Sequence, residues 1–498
     1  MDFHNQLQRL KEENFFATLG IERGIEKESL RVTSDGFISE KAHPSSLGAS
    51  FTNPSITTDF AESLIEIVTP VFTDVDDLYE YLLGLHIFIA NGLEDGELLW
   101  PFSMPPKIID SSKINIATYS DTNIGKLKHI YRKGLAIRYG KTMQCVSGIH
   151  FNFSLTDNSL AIISGSNAQK DIDTTYLGLI RNFKRLFWFV LCEFGHTSVI
   201  DKSFVDGREH DLEPLNNSDL FKEGATSLRM SEIGYQSKAQ KNLNIKYNNL
   251  DEFLEEVKSA ITTPYPEFEK LGLKDSEGNF HQISSGILQI ENELYDCIRP
   301  KRAGSSGQRP YELLKKEGIK YLEVRGIDLD PEDVAGISKN KILLLDLILL
   351  YCAIKPSSLM SDEEKSVIEN NDIAAIKNGR LPETMISYKD EQTTIAESRI
   401  DVIKDLMQLA SAMNDPKYIE VVSSLNNKVN TFNPDKSFHN LGLEKARENA
   451  LDLKSNTEID TLKFNEEAET SLLKFETIQA TANFDKIDEF MNSYNTKI

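Results

Sequence analysis

The sequence of 498 residues has few cysteines, no long apolar run and fewer basic than acidic side chains. Its cysteines, Cys145, Cys192, Cys297 and Cys352, lie far apart and form no CxxC pair. This spacing excludes a disulfide scaffold and a zinc knuckle. We expect Cys145 to be a buried structural thiol.

The most apolar stretch covers residues 342–354 and contains Asp346. A membrane helix needs about 20 apolar residues, so this stretch predicts a buried helix instead. The first residues show neither the basic nor the apolar segment of a signal peptide. We therefore expect a cytoplasmic protein.

The charge is strongly negative, because 55 Lys and Arg side chains face 77 Asp and Glu, a net of −22. Such an excess opposes binding to nucleic acid or to an anionic membrane. A P-loop and a GxGxxG motif are both missing from the sequence. A content of 40% hydrophobic and 27% charged residues is typical of a globular protein with a sizeable core.

Apolar side chains repeat at helical spacing in several places. The predicted helices cover residues 2–19, 74–91, 174–194, 249–261 and 339–354. From about residue 361 the sequence is helical in pattern to its end. A composition shift near Lys355 and Pro356 predicts an α+β domain over residues 1–355 and a mostly helical region over residues 356–498 that can pack on it.

Four segments alternate with period two, which predicts strands whose polar side chains share one face. They cover residues 24–31, 147–154, 287–295 and 319–325. The shared polar faces carry Glu26 and Glu28; Gly148, His150, Asn152 and Ser154; Gln289, Glu291, Glu293 and Tyr295; and Tyr321, Glu323 and Arg325. Taken alone, each segment is most simply explained as an antiparallel strand whose polar face lies in water. Together they favour a shared site.

Repeated acidic side chains on one surface repel each other unless a cation or a substrate compensates them. Glu26, Glu28, His150 and Glu323 on one concave sheet would bind a hard divalent cation. Mg²⁺ fits best because it prefers oxygen ligands and bridging phosphates, and Mn²⁺ is a second candidate. The missing thiolate ligands count against zinc.

The segment of residues 56–70 adds Asp59, Glu62 and Glu66. On an unbroken strand Asp59 and Glu66 would lie on opposite faces, so a bend or bulge must separate them if both reach the site. The part after residue 65 is the more strand-like, which makes Glu66 the stronger candidate.

Arginines near glycine-rich or aromatic segments are candidates to hold a phosphoryl group or a carboxylate, since a guanidinium can clamp two oxygens. They are Arg132, Arg229, Arg325 and the basic run over residues 299–302. A surface role is the simpler reading for each one alone, except for Arg325, which shares a polar face with Glu323.

Eight motifs in order resemble the glutamate–cysteine ligase family of the proteobacterial type. They cover residues 24–31, 56–70, 100–105, 148–154, 226–231, 289–295, 299–302 and 321–325. The likeness extends from about residue 12 to 355 and more loosely to about 440. The last ~60 residues match poorly, so the resemblance implies no function for them.

The resemblance implies an ATP-dependent ligase. It would join the γ-carboxylate of L-glutamate to the amine of L-cysteine through a γ-glutamyl phosphate, as the first step of glutathione biosynthesis. It also implies an α+β fold like the glutamine synthetase catalytic domain, with a curved antiparallel sheet, surrounding helices and a helical C-terminal part.

The resemblance further implies roles for individual residues, with Mg²⁺ as the metal and ATP as co-substrate. The implied metal ligands are Glu26, Glu28, Asp59, Glu66, His150 and Glu323. The groups around the transferred phosphoryl are Arg229, Arg325 and His150. The pocket for the cysteine side chain comprises Phe60, Tyr131, Leu135, Gln144, Tyr235 and Tyr295. Arg132 would meet a substrate carboxylate.

Two alternatives remain at this point. One is an ATP-dependent carboxylate–amine ligase of the same fold with a different amine acceptor. The other is a non-catalytic nucleotide-binding protein that keeps the fold. A metallohydrolase is less favoured, because several arginines suit phosphate and no zinc triad is evident. The expected partners are small molecules, with neither nucleic acid nor membrane, and we expect a monomer.

Overall fold

The computed structural model describes residues 2–94, 96–304, 307–425, 435–481 and 486–498. Its helices are α1 (Phe3–Glu12), α2 (Val75–Gly92), α3 (Asn123–Tyr139), α4 (Asp157–Ser164), α5 (Gln169–Phe194), α6 (Leu250–Thr262), α7 (Pro266–Glu269), α8 (Pro310–Glu317), α9 (Lys339–Ile354), α10 (Asp362–Asn378), α11 (Ile395–Met413), α12 (Pro416–Ser423), α13 (Phe438–Ser455), α14 (Leu462–Thr481) and α15 (Ile487–Asn495). Its strands are β1 (Ile21–Val32), β2 (Ile56–Thr58), β3 (Leu64–Val68), β4 (Leu98–Leu99), β5 (Ile149–Leu155), β6 (Val199–Asp201), β7 (Glu213–Pro214), β8 (Asp219–Phe221), β9 (Ile298–Lys301), β10 (Tyr321–Ile327), β11 (Met385–Tyr388) and β12 (Glu391–Thr394).

The central sheet is antiparallel and runs in the order β2-β3-β1-β5-β10-β9, with β4 paired to β1. Its register places Glu26 opposite His150 and Glu28 opposite Glu66. Residues directly opposite each other in an antiparallel pair project from the same face. The predicted α+β fold is therefore confirmed, and the strands β1, β3 and β5 present their acidic and imidazole groups on one surface.

The other face of this sheet forms part of the main core. Ile25, Phe151 and Val324 are fully buried there, and helices α5 and α9 belong to the same hydrophobic cluster. The predicted buried helix over residues 342–354 is thus confirmed as part of α9. Within the described ranges, every helix falls short of the length and apolar character that a membrane span requires.

Most predicted helices agree closely with the structure, but two predictions differ in extent. The helix predicted from residue 174 begins five residues earlier, at Gln169. The helix predicted over residues 2–19 ends at Glu12, because Asn14 adopts a left-handed conformation (φ 55°) and a 3-10 turn follows. Asparagine tolerates this conformation better than most residues, so it provides the break.

The strand predicted over residues 287–295 is wrong. Residues 291–293 form a 3-10 turn, so the four polar side chains expected on one strand face do not share one. Glu293 is fully buried and accepts hydrogen bonds from the Arg138 guanidinium (3.1 Å) and the Tyr139 hydroxyl (2.7 Å). This carboxylate also accepts a hydrogen bond from the Gln289 backbone N–H at 2.8 Å, which folds the segment back on itself.

The bend expected between Asp59 and Glu66 is present as a reversal of the chain, because β2 and β3 pair as antiparallel neighbours. The region after residue 361 contains helices as predicted, together with the unpredicted hairpin β11–β12. Helix α10 packs on α5, and α11 packs on α9. The domain boundary at residue 355 stays a prediction.

Lys27 points away from Glu26 and Glu28 into the core, where its Nζ lies 2.6 Å from His86 Nε2. Burial lowers the pKa of Lys27 to about 7 from 10.5 in the unfolded chain, and Asp333 opposes this only partly. As the pH falls from 10.5 towards 7, the unfolded chain therefore takes up a proton that the folded chain does not, and stability is lost.

Lys27→Met should accordingly raise the free energy of unfolding at pH 7 by about 1–3 kcal/mol, after the cost of leaving His86 without its partner. The advantage should shrink as the pH rises towards 10.5. Urea denaturation at pH 6.5, 8 and 9.5 measures this. An advantage that grows with pH would contradict the assigned direction.

Candidate active site

A cavity of about 340 Å³ lies over the polar face of the central sheet. The lining includes every predicted metal ligand: Glu26, Glu28, Asp59, Glu66, His150 and Glu323. The structure therefore brings together side chains from β1, β3, β5, β10 and the turn after β2.

Glu26 lies at the centre of the acidic cluster. One of its carboxylate oxygens accepts a hydrogen bond from Asn152 Nδ2 (2.9 Å), and the other lies 3.2 Å from His150 Nδ1. Burial raises the pKa of Glu26, but the hydrogen bond with His150 and the nearby positive charges outweigh it, so the net shift is downwards. Glu26 is therefore held as a carboxylate.

Glu323 joins the cluster from β10, and one ligand atom each of Glu26, His150 and Glu323 lie within 4.8 Å of one another. Glu323 is almost fully buried and contacts Arg299 at 2.5 Å and Lys301 at 3.3 Å. Burial opposes ionisation, yet these cations hold its pKa well below the usual range. Glu323 is therefore held as a carboxylate at neutral pH.

The pKa values of Glu28 and Glu66 shift in the opposite direction, upwards. Burial first, and then the charge of Asp59, raise the pKa of Glu28 to about 8. Burial and the charges of Asp59, Glu26 and Glu28 raise the pKa of Glu66 well above its usual range. Burial and the neighbouring carboxylates thus both oppose ionisation of Glu28 and Glu66, a cost that a bound divalent cation would offset.

His150 lies between Glu26 and Glu28, since its Nε2 lies 3.6 Å from Glu28 Oε1 while its Nδ1 faces Glu26. Burial and the charge of Arg325 lower the pKa of His150. A neutral imidazole has a free electron pair, so His150 can either ligate a metal or accept a hydrogen bond.

The donor set fits Mg²⁺ or Mn²⁺ better than zinc. It consists of several carboxylates and one imidazole, among which Glu26, His150 and Glu323 already lie within mutual coordination distance. Oxygen-rich sets of this kind suit Mg²⁺ and Mn²⁺.

Two arginines face the acidic cluster. Arg325 donates from Nε to the Tyr235 hydroxyl (2.9 Å), and its Nη1 lies 3.2 Å from Glu323. Arg229 is held from behind, because its Nε donates to Asp328 (2.8 Å) and its Nη2 donates to the Ile327 carbonyl (2.8 Å). Both guanidiniums are therefore fixed in place at the cavity wall.

Gly148 packs directly against Arg229, and a Cβ at this position would lie only 2.9 Å from Arg229 Nη1. Since the guanidinium is anchored, Gly148→Ala must push it out of place. We expect kcat to fall at least tenfold with little change in the melting temperature, as a displaced charge of this kind costs more than ~1.4 kcal/mol in the transition state.

The matched control is Gly140→Ala, because a Cβ at Gly140 meets no atom within 4 Å, although its positive φ (83°) costs some stability. Steady-state kinetics and thermal melts of both variants give the result. Full activity of Gly148→Ala would show that the position of Arg229 does not matter.

An aromatic pocket opens beside the arginines. Five of the predicted cysteine-pocket residues line the cavity: Tyr131, Leu135, Gln144, Tyr235 and Tyr295. The rings of Tyr235 and Tyr295 are 4.4 Å apart between centroids, and Gln144 Nε2 donates to the Tyr295 hydroxyl at 3.3 Å. Phe60 is not among the described residues that line the cavity, since it is fully buried in the core.

Arg132 borders the cavity, but much of its guanidinium is already engaged. Its Nε donates to the Asp59 carbonyl, its Nη1 to the Lys128 carbonyl (3.0 Å) and its Nη2 to the Thr58 carbonyl (3.3 Å). Its Nη2 also lies 3.9 Å from the Asp59 carboxylate. A substrate carboxylate would share Arg132 with these acceptors.

Several groups at this site had no predicted role. Asn152 fixes Glu26, and Asp328 fixes Arg229. The position of Asn152 on the polar face of its predicted strand could have indicated this role. Lys301 lies within the basic run noted in the sequence. Tyr494, from the last helix, also lines the cavity and had no signal in the sequence.

All four cysteines are buried free thiols, which agrees with the prediction made for Cys145. Cys145 follows Gln144 of the aromatic pocket, and burial raises the pKa of its thiol to about 12. An unionised buried thiol is a poor nucleophile, so Cys145 is structural here.

Comparison with known proteins gives a consistent result. The glutamate–cysteine ligase family model matches residues 6–374. The glutamate–cysteine ligase of Hahella chejuensis is 43% identical over 380 residues, which cover 75% of this chain and 72% of that protein. The enzyme of the same name from Pseudomonas putida (strain W619) is 42% identical over 396 residues, 78% of this chain and 75% of that protein.

Solved structures agree. The crystal structure of the glutamate–cysteine ligase from Francisella tularensis in complex with AMP matches with a TM-score of 0.89 and 30% identity, over 96% of this chain and 98% of that one. A bifunctional glutathione synthetase from Pasteurella multocida has a TM-score of 0.64 at 23% identity, over 95% of this chain and 55% of that one, which is a likeness in fold.

Proposed function

Because the chain belongs to the glutamate–cysteine ligase family, we propose that the cavity over its central sheet joins the γ-carboxylate of L-glutamate to the amine of L-cysteine with hydrolysis of ATP to ADP and phosphate. The observation that carries this proposal is the meeting of Glu26, His150 and Glu323 within 4.8 Å, beside two anchored arginines. The Francisella relative was solved in complex with AMP, which supports nucleotide binding by this chain.

The reaction needs activation of the acid, because a carboxylate oxygen is a poor leaving group. The γ-carboxylate oxygen of glutamate would attack the γ-phosphorus of ATP and release ADP. The amine of cysteine would then attack the acyl carbon of γ-glutamyl phosphate and release inorganic phosphate, while the amine loses a proton to solvent or a nearby base. Both steps depend mainly on positioning and on neutralising negative charge.

The acidic cluster would hold Mg²⁺ through Glu26, Glu28, Glu66, His150 and Glu323. Mg²⁺ supplies positive charge that shields the phosphates of ATP. Metal binding would also return the carboxyls of Glu28 and Glu66 to the ionised state, since a nearby cation lowers the pKa that burial raises. Asp59, whose side chain is 43% exposed, would complete the metal shell.

Arg229 and Arg325 would bind the oxygens of the transferred phosphoryl group. Their contacts with Asp328 and Tyr235 fix both guanidiniums before substrate arrives, so no reorganisation is needed during the reaction. His150 Nδ1 lies 3.4 Å from Arg325 Nη1, and a ring N–H of His150 could donate a hydrogen bond to the same phosphoryl group.

The aromatic pocket would accept the side chain of cysteine. Tyr131, Tyr235 and Tyr295 line it with aromatic rings, and Gln144 supplies a polar contact. Arg132 would meet a carboxylate of the amino acid substrates.

Release of ADP from purified protein tests the proposed function. With ATP, Mg²⁺, L-glutamate and L-cysteine together, we expect steady turnover, and omission of any one should reduce ADP release to background. Turnover with glutamate and another amine, but none with cysteine, would identify a ligase with a different acceptor. Binding of Mg–ATP without turnover in any mixture would instead indicate a nucleotide-binding protein without catalysis.

A further inference from the structure

The C-terminal helix α15 forms part of the cavity wall, although the family match ends at residue 374. Met491 and Tyr494 are 1% and 6% exposed, and both pack with Leu127 of α3 and with Ile283. Asn495 Nδ2 donates to the Ile283 carbonyl at 3.0 Å. The helix is therefore fixed to two segments that line the cavity, and Tyr494 lines it as well.

The ring of Tyr494 is held in one orientation by Arg309. The guanidinium of Arg309 lies over the ring, 4.5 Å from its centroid, and its Nη1 donates to the Tyr494 carbonyl at 3.3 Å. Arg309 is fully buried and also donates to both oxygens of Glu291 at 3.1 Å. A ring fixed in this way is prepared for a contact with a ligand before the ligand arrives.

A continuous series of contacts joins this ring to the acidic cluster. Arg299, which pairs with Glu323, donates to the Asn292 carbonyl at 2.8 Å. Asn292 follows Glu291 in the same 3-10 turn, and Glu291 holds Arg309 under Tyr494. The acidic cluster and Tyr494 therefore lie along one wall of the cavity.

The surroundings of Tyr494 differ from those of the acidic cluster. Leu127, Ile283 and Ile290 line the cavity and belong to the same hydrophobic cluster as Tyr494. An ATP molecule whose phosphates are bound at the acidic cluster must place its base elsewhere in the cavity. The base is flat and largely apolar, so an aromatic and aliphatic surface suits it, whereas the pocket of Tyr235 and Tyr295 suits a small amino acid.

We propose that Tyr494 positions the base of ATP, so that the last helix of the chain completes the nucleotide site. This inference rests on the proposed function. Tyr494 contributes through its ring, and the hydroxyl is not required.

The test compares Tyr494→Ala and Tyr494→Phe in the full-length chain. The dissociation constant of the non-hydrolysable analogue AMP-PNP with Mg²⁺ is measured by calorimetry, and the KM values of ATP and glutamate are measured by kinetics. Loss of one aromatic contact with a base typically weakens binding about tenfold. We expect Tyr494→Ala to raise the dissociation constant and the KM of ATP about tenfold, and Tyr494→Phe to leave both unchanged.

Asn492→Ala is the matched control, since Asn492 is exposed on the same helix. A variant that merely loosened α15 would change the KM of glutamate as much as that of ATP, and this would overturn the inference. An unchanged dissociation constant for Tyr494→Ala, with the melting temperature preserved, would overturn it too. If wild-type protein binds AMP-PNP through Tyr494 but forms no peptide bond, the proposed function fails and this inference stands.

Discussion

Replacing Glu26 with glutamine is expected to lower kcat at least a hundredfold while the fold remains intact. Glutamine has the same shape, and its carbonyl oxygen can still accept the hydrogen bond from Asn152. The negative charge at the centre of the cluster is lost, and with it an interaction with metal and phosphate worth about 3 kcal/mol or more in the transition state. The measurement is kcat at saturating ATP, glutamate and cysteine over a range of Mg²⁺ concentrations.

Glu22→Gln provides the control for Glu26→Gln. Glu22 belongs to the same strand and pairs with Ser154, outside the acidic cluster. We expect this control to retain wild-type kcat and the same Mg²⁺ dependence. If Glu26→Gln reached the wild-type rate at high Mg²⁺, Glu26 would not be needed for the chemistry.

Arg325→Lys should lower kcat by two to three orders of magnitude. Lysine keeps the charge but cannot reproduce a planar fork that contacts Tyr235, Glu323 and His150 together. The shorter reach of a single ammonium group leaves the transferred phosphoryl oxygens less well stabilised. The readout is kcat together with the binding constant of Mg–AMP-PNP, because we expect catalysis to fall far more than ground-state binding.

Lys320→Ala controls for the replacement of a basic side chain next to the same strand, since Lys320 is exposed and pairs only with Asp157 at the surface in the described structure. Its kcat should stay within twofold of wild type. A loss of nucleotide affinity in Arg325→Lys with kcat unchanged would assign Arg325 to binding alone.

The strand faces could be predicted from the sequence because their cause is local. In β1, β5 and β10 the side chains alternate, so Glu26 and Glu28, or Glu323 and Arg325, had to share a face whatever the register. The sequence did not specify which strands are neighbours. The pairing of Glu26 with His150 depends on contacts between segments 124 residues apart.

The same alternation wrongly predicted a strand over residues 287–295. A period of two is compatible with a strand, but the buried Glu293 accepts hydrogen bonds from Arg138 and Tyr139, and these long-range contacts favour a turn. Phe60 shows a similar limit, since a motif can place a residue near a site without deciding whether its ring reaches the cavity.

Tyr494 could not have been found from local pattern. Its partner Arg309 is 185 residues away, and the C-terminal sequence has an ordinary helical pattern. Only the folded chain brings α15 onto α3.

Transfer of oxygen tests the central claim most directly: that this cavity activates the γ-carboxylate of glutamate as an acyl phosphate. The enzyme is supplied with ATP, Mg²⁺, cysteine and glutamate whose γ-carboxylate carries ¹⁸O, and the released phosphate is analysed by mass spectrometry. The account predicts one ¹⁸O atom in each phosphate formed. Phosphate without the label, together with normal formation of the dipeptide, would contradict it.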